Sequence, residues 1–148
     1  MPRLVNFEIH RLCHLMDRQT EDSDNEKPEL TRAQCRVLHF LNENRGKDIY
    51  QRDIEERFKM RRSTVSVMLS TMECRGYIKR VCVEQDARLR KIAVTEKAKA
   101  LDDKIKHMIE SYNAMLIQGI SEQELGAFFA VLDRIRSNIE NNERSEEA

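Results

Sequence analysis

The chain has 148 residues, which is enough for one domain whose hydrophobic core needs no disulfide bonds. Aromatic residues make up 5% of it, and with no Trp, 4 Gly and 2 Pro the composition favours helices over a β-sandwich or barrel. The net charge is zero, but residues 45–91 carry 13 Lys and Arg against 7 Asp and Glu, while residues 1–30 carry 4 against 7 and residues 92–148 carry 7 against 11. A basic middle between acidic flanks is typical of a protein that binds a polyanion.

Several classes of protein are excluded by what the sequence lacks. No apolar run approaches the roughly 20 residues of a membrane span, and the segment MPRLVNFEIHRLCH has neither the apolar core nor the cleavage site of a signal peptide. There is no Gly-rich phosphate loop, nucleophile elbow or metal-ligand cluster. We therefore expect a cytoplasmic protein that is not an enzyme, has no membrane partner and binds no cofactor or metal.

The N-terminal third predicts two helices separated by an acidic loop. Apolar side chains at helical spacing indicate an amphipathic helix over residues 4–18. A second helix is expected over residues 32–44, because Thr31 and Gln34 have the spacing of a capping box. Gly46 is the expected left-handed residue that ends it.

The middle of the chain predicts two short helices with a tight bend, followed by a β-hairpin with a charged tip. These elements are expected over residues 50–58, 62–74, 77–83 and 89–94. The helices follow from apolar positions three and four residues apart, and the strands from their Val and Ile content. The layout is that of a winged helix-turn-helix, in a chain that is otherwise mainly α.

Two long helices are predicted after the hairpin. Thr95 caps the first, over residues 96–117, and a capping box of Ser121 and Glu124 opens the second, which ends near residue 141. Together with the first helix they carry more apolar side chains than a winged helix of about 65 residues can cover. The simplest way to bury them is against a second copy in a two-fold homodimer.

The charged and small polar positions of the middle segment predict a surface that binds duplex DNA. Ser63 and Ser66 lie on the outward side of their helix, and small polar side chains of this kind can approach base edges closely. Two arginines at the start of that helix oppose its dipole, a penalty that a phosphate would reverse. A thin wing can carry arginine into the minor groove, and Asp86 is expected to hold the Arg88 guanidinium. The predicted DNA-binding residues are Arg61, Arg62, Ser63, Thr64, Ser66, Val67, Ser70, Asp86, Arg88 and Arg90, with Arg52, Lys79 and Arg80 as candidate phosphate contacts.

Four segments and the order of the elements resemble the MarR family of dimeric bacterial transcription regulators. The segments are LTRAQCRVLHFL at 30–41, QRDIEERFKMRRSTVS at 51–66, MECRGYIKR at 72–80 and DARLRKIAVT at 86–95. The D-x-R wing, followed by an apolar residue, one variable residue and Thr, is the most specific of these. The resemblance extends over essentially the whole chain.

The resemblance implies a function and assigns roles by matching position. It places Arg62, Ser63, Thr64 and Ser66 in the major groove and Arg88 in the minor groove. It also implies a regulator that occupies a near-palindromic operator as a homodimer, usually as a repressor, and is released by a small-molecule or oxidant effector. The sequence departs from the family pattern where Arg61 replaces a small polar cap and Ala98 replaces a common Gly.

The resemblance and the charge distribution together predict the organisation of the chain. Residues 1–148 would form a single MarR-type domain, with residues 31–95 as the DNA-binding lobe and residues 1–30 and 96–148 as the helical dimerisation region. The alternative is a winged-helix module that binds a protein and reads no DNA sequence. The salt dependence of binding distinguishes the two alternatives, because DNA binding weakens steeply as the salt concentration is raised.

The cysteines and histidines leave further alternatives open. Cys13 is a candidate redox thiol, because the peroxide-sensing branch of the MarR family carries its reactive cysteine in the first helix, but a buried inert thiol is the favoured interpretation. Core positions are expected for Cys35 and Cys74, and a solvent-facing position for Cys82. His10 and His14, four residues apart on one helix, are more simply surface residues than metal ligands.

Overall fold

A computed structural model of the chain describes residues 3–21 and 29–146. They form helices and one two-stranded antiparallel sheet, in the mainly α arrangement with a β-wing that the sequence predicts. The helices before the wing are α1 (Val5–Glu21), α2 (Arg32–Glu43), α3 (Gln51–Phe58) and α4 (Arg62–Cys74). The wing and the elements after it are β1 (Ile78–Val83), β2 (Asp86–Val94), α5 (Glu96–Ala100), α6 (Asp102–Leu116) and α7 (Glu122–Glu146). Most of the acidic loop expected after the first helix lies outside the described residues.

The helix starts are fixed by the side chains that the sequence indicates. The Thr31 hydroxyl accepts from the Gln34 backbone N–H at 3.2 Å, and the Gln34 side chain accepts from the Thr31 N–H at 2.9 Å. Ser121 and Glu124 make the same reciprocal pair at the start of α7. Both predicted capping boxes are therefore confirmed. Gly46 has φ +88°, as expected for the left-handed residue after α2.

Several boundaries differ from the sequence-based prediction: α1 ends at Glu21, beyond the predicted end at residue 18, and β2 begins at Asp86, three residues before the predicted start at residue 89. The expected helix over residues 96–117 is divided at Leu101, whose backbone N–H bonds to the Ala98 carbonyl oxygen three residues back at 3.2 Å. No Gly or Pro marks this break, and the apolar period continues across it. The last helix extends to Glu146, beyond the predicted end near residue 141.

The chain divides into two compact units, residues 1–102 and 103–148. In the first, α3 packs on α4, α4 on β1, and α2 on β2. The largest fully buried side chains there are Val37, Leu38, Ile54, Val65, Leu69, Met72, Tyr77 and Ile78. A further backbone bond, from the Ile92 N–H to the Ile49 carbonyl oxygen at 2.7 Å, attaches the segment before α3 to β2.

The second unit contains α7 and all of α6 except its first residue, Asp102. No residue of α7 is buried in the single chain, and Phe128, Phe129, Val131 and Ile139 of that helix are all about half exposed or more. Leu4, Val5, Phe7, Leu12 and Leu15 near or in α1 of the first unit are exposed as well. Among the described residues, no helix is long and apolar enough to cross a membrane.

The cysteines do not all lie where the sequence analysis places them. Cys35 is buried and Cys82 is exposed, as expected, but Cys13 and Cys74 are both exposed. Cys74 comes two residues after the buried Met72 at the end of α4, and a step of two residues moves a side chain to the other side of a helix. Cys13 lies in α1, where Val5, Phe7, Leu12 and Leu15 are exposed in the single chain as well.

Candidate nucleic-acid interface

The turn between α3 and α4 is tight and left-handed at one residue. Lys59 caps α3 with φ 50°, and the Met60 backbone N–H bonds to the Glu55 carbonyl oxygen at 3.1 Å. A non-glycine residue in this region is uncommon and marks a constrained turn. The turn ends α3 and starts α4 within three residues.

The outer face of α4 carries the side chains that the sequence predicts. Val65, Leu69 and Met72 point into the core and are fully buried. Six of the predicted DNA-binding residues are exposed on the same helix, namely Arg62, Ser63, Thr64, Ser66, Val67 and Ser70. A shallow groove of about 430 Å³ runs along this face and is lined by Ser66, Val67, Ser70, Thr71, Cys74 and Arg75.

The start of α4 has no side-chain cap. Arg61 occupies the cap position in an extended conformation, and its guanidinium, which has no acceptor atom, makes no capping hydrogen bond with the first turn. Arg61 and Arg62 are both exposed there. Backbone N–H groups at a helix start attract anions, and the two guanidinium groups add positive charge at the same end.

The wing carries an irregularity that presents Arg88. Along most of the hairpin the strands pair in regular antiparallel register, with Cys82 opposite Arg90, but the next residue of β1, Val83, lies opposite Asp86. Three residues of β2, 87–89, thus have no counterpart on β1. Such bulges redirect a side chain, and Arg88 lies at the middle of this one.

Asp86 contacts Arg88 through the backbone. Its carboxylate accepts from the Arg88 backbone N–H at 2.9 Å. The expected pairing with the Arg88 guanidinium is therefore not what the structure has. An Asp side chain two residues before an N–H readily closes a short turn with it, and this leaves the Arg88 side chain free to extend from the tip.

Five arginines converge on one concavity between the helix starts and the wing. It has a volume of about 500 Å³ and is lined by Tyr50, Gln51, Arg52, Glu55, Arg62, Arg80, Arg88, Leu89, Arg90 and Ile92. We call it the arginine groove. All five arginines are among the predicted DNA-binding or phosphate-contact residues, and they lie far apart along the chain. Arg61, Lys79 and Asp86 are exposed and lie next to or near groove residues in the sequence, but they do not line the groove.

Most of the guanidinium groups of the arginine groove have no acidic partner. Over residues 3–21 and 29–146, no ion pair involves Arg52, Arg62, Arg88 or Arg90. Clustered cations without partners create a strong positive potential in a concave surface. The groove is therefore suited to bind a polyanion.

Arg80 is the exception, and its partner is a residue that the sequence analysis missed. The Glu73 carboxylate accepts from the Arg80 backbone N–H at 3.1 Å and lies 3.6 Å from its guanidinium. The same guanidinium lies 3.4 Å from the Ser70 hydroxyl oxygen. Glu73 thus links α4 to β1. No local pattern identifies it, because its partner lies seven residues away on another element.

Gln51 is a second residue that sequence reasoning did not single out. Its side-chain amide donates to the Arg62 carbonyl oxygen at 3.4 Å and to the Glu55 carboxylate at 3.0 Å. It thereby connects the first turns of α3 and α4. Over the described part of the chain, no group of three or more His, Cys, Asp or Glu side chains is placed to hold a metal ion.

The chain resembles regulators of known sequence and structure. A family model described as MarR family matches residues 29–89. An uncharacterised HTH-type transcriptional regulator of Bacillus subtilis, YybA, is 30% identical over 112 residues, which are 76% of this chain and 73% of YybA.

Solved structures agree with this assignment. The transcriptional regulator SlyA is 27% identical, with a TM-score of 0.82 over 95% of this chain and 96% of its own. The MepR–DNA complex from S. aureus is 22% identical, with a TM-score of 0.81 over 93% and 99%, and shares the fold. YybA and SlyA are both transcriptional regulators. The chain belongs to the MarR family of helix-turn-helix transcription regulators.

Proposed function

We propose that the protein binds duplex DNA at a specific sequence through α4 and the wing. The observation that carries the proposal is the arginine groove, where four guanidinium groups without acidic partners lie beside the exposed polar face of α4. Phosphate contacts from such arginines position a protein on DNA, and short side chains on a helix read base edges in the major groove. The solved structure of MepR, which shares the fold, is a complex with DNA.

In this proposal Arg88 enters the minor groove while Arg62, Ser63, Thr64 and Ser66 face the major groove. Arg61, Arg90, Arg52, Lys79 and Arg80 contact phosphates. The narrow minor groove of A·T-rich DNA attracts arginine, and an arginine carried on a bulged wing tip suits that groove. The bulge at residues 87–89 and the unpaired Arg88 side chain support this assignment.

A homodimer is the form in which the protein would read its operator. The support is the row of large apolar side chains that α1 and α7 each leave exposed in the single chain, since contiguous apolar patches mark interaction surfaces. Residues 1–30 and 96–148 would form the dimerisation region around the DNA-binding lobe of residues 31–95. A two-fold dimer places two α4 helices on half-sites about one helical turn apart, so the operator would be nearly palindromic.

Repression and its release complete the proposal. Operator occupancy would block polymerase, and a small-molecule or oxidant effector would change the spacing of the two α4 helices by shifting the dimer helices. This part is supported by the family to which the chain belongs and by no residue pattern of its own.

The test is selection of bound sequences from a random duplex pool by the full-length protein, followed by titration at two salt concentrations. We expect an enriched near-palindrome whose affinity falls steeply with salt, because each neutralised phosphate releases counterions. If no sequence is enriched, sequence-specific recognition is wrong. A protein-binding winged helix would then be the better description, especially if binding to any duplex were weak at both salt concentrations.

A further inference from the structure

The middle of the outer face of α4 lacks the side chains that make two-pronged hydrogen bonds to bases. Between residues 63 and 72 there is no Arg, Lys, Asn or Gln. Guanine is read mainly by Arg or Lys, and adenine by Asn or Gln. This stretch of the helix must therefore discriminate bases in another way.

Val67 is the apolar group at the centre of that face. Its relative exposure of 69% is higher than that of any other large apolar residue in the described ranges. It lines the shallow groove along α4 beside Ser66 and Ser70. A β-branched side chain left this exposed in a helix contributes nothing to the core, and its methyl groups are available to a ligand.

The neighbouring hydroxyl groups one turn further along are already in use. The Thr71 hydroxyl donates to the Val67 carbonyl oxygen at 3.1 Å, and the Ser70 hydroxyl oxygen lies 3.4 Å from a guanidinium nitrogen of Arg80. Each of these two hydroxyl groups thus already has one hydrogen-bond partner inside the protein. The Val67 side chain offers an apolar contact beside them.

Resting on the proposed function, we infer that Val67 is a specificity-determining residue that recognises the C5-methyl group of a thymine in the major groove. Thymine is the only standard DNA base that presents a methyl group there, and an apolar side chain is its natural partner. Burying one methyl-sized group favours binding by about fourfold. The operator should therefore contain one thymine in each half-site whose methyl group matters.

The test changes the DNA by one methyl group at a time. Each thymine of the selected operator is replaced in turn by deoxyuridine, which pairs identically but lacks the methyl group. With the wild-type protein, we expect about fourfold weaker binding at one thymine per half-site and little change at the others. If no replacement weakens binding, the inference is wrong, while the enriched operator would still support the proposed function.

The matching protein variant is Val67→Ala. Alanine suits an exposed helix position, so the fold should be retained. At the sensitive thymine, the ratio of affinities for thymine and deoxyuridine should fall to about one. Val81→Ala, which shortens an exposed valine of β1 outside the proposed dimerisation region, should keep the wild-type ratio. If Val67→Ala keeps the wild-type ratio as well, another residue reads the methyl group and the inference fails. If the selection enriches no sequence at all, the proposed function fails and this inference with it.

Discussion

Arg88 combines an exposed side chain with a backbone held by Asp86, so its role can be tested without disturbing the fold. In Arg88→Ala, the hydrogen bond from the residue-88 N–H to Asp86 is retained. We expect weaker operator binding, with a log–log salt dependence reduced by about one, because one phosphate or groove contact is lost. Titration at several salt concentrations would measure both.

The control for Arg88 is Arg36→Ala, which removes the same charge from an exposed position on α2. Its effect on affinity should be much smaller. Equal losses in the two variants would mean that net charge alone matters, and the assignment of Arg88 to the minor groove would be abandoned.

The thiols should differ in reactivity according to their burial. Burial raises the pKa of the Cys35 thiol, which lowers the fraction of reactive thiolate at neutral pH. In a titration with an aromatic disulfide reagent, Cys74 and Cys82 should react rapidly in the native protein, and Cys35 only after unfolding. Rapid modification of Cys35 in native protein, located by peptide mapping, would contradict this.

Single-residue placement was only partly predictable from the sequence. Periodicity distinguished the buried Val65 and Leu69 from the exposed Ser66, because packing on one side of a helix imposes that period. The core position expected for Cys74 disregarded this period, since Cys74 comes two residues after the buried Met72 and so lies on the other side of α4. The exposure of Cys13 removes the reason for treating it as a buried thiol, and its redox role stays a prediction.

At the scale of elements, the link between α4 and the wing depends on Glu73. In Glu73→Gln, an oxygen acceptor for the Arg80 N–H remains while the ion pair is lost. In Glu73→Ala, both are lost. We expect Glu73→Ala to lower the free energy of unfolding by about 1 kcal/mol, as for one typical hydrogen bond, and Glu73→Gln to lower it less.

Operator affinity should also fall more in Glu73→Ala than in Glu73→Gln. Without its contacts to Glu73, Arg80 leaves β1 less firmly attached to α4. Denaturant unfolding and operator titration would be measured on both variants. If operator affinity in Glu73→Ala equals that of the wild type, Glu73 has no part in positioning the wing.

Helix starts could be predicted because the capping residues lie within four positions of each other, as Thr31 and Gln34 do. The bulge at residues 87–89 and the break at Leu101 could not be predicted, because each depends on backbone hydrogen bonds that many different sequences could form. The arginine groove is intermediate: its members were recognised by residue type, but their convergence depends on how α3, α4 and the hairpin pack.

At the scale of the whole molecule, the proposed dimer makes the exposed phenylalanines of α7 essential. Phe129→Asp places a charge on an apolar surface and should convert the dimer into a folded monomer. Sedimentation velocity would give the mass, and circular dichroism the helix content. Ser137→Asp, at an exposed polar position of the same helix, should remain dimeric. A dimeric Phe129→Asp protein would show that this part of α7 is not the interface.

In the protein without DNA, the unpaired guanidinium groups of the arginine groove repel one another, and this repulsion lowers the stability of the fold. Added salt screens that repulsion over distances of about 10 Å at 0.1 M, so the melting temperature of the DNA-free protein should rise as salt is added at moderate concentrations. The same ions compete with the protein for phosphates and weaken the complex. Added salt should thus stabilise the DNA-free protein and weaken its complex with DNA. In Arg90→Gln, both of these salt effects should be smaller. A melting temperature that falls with added salt in the same range would mean that the groove stores no such repulsion.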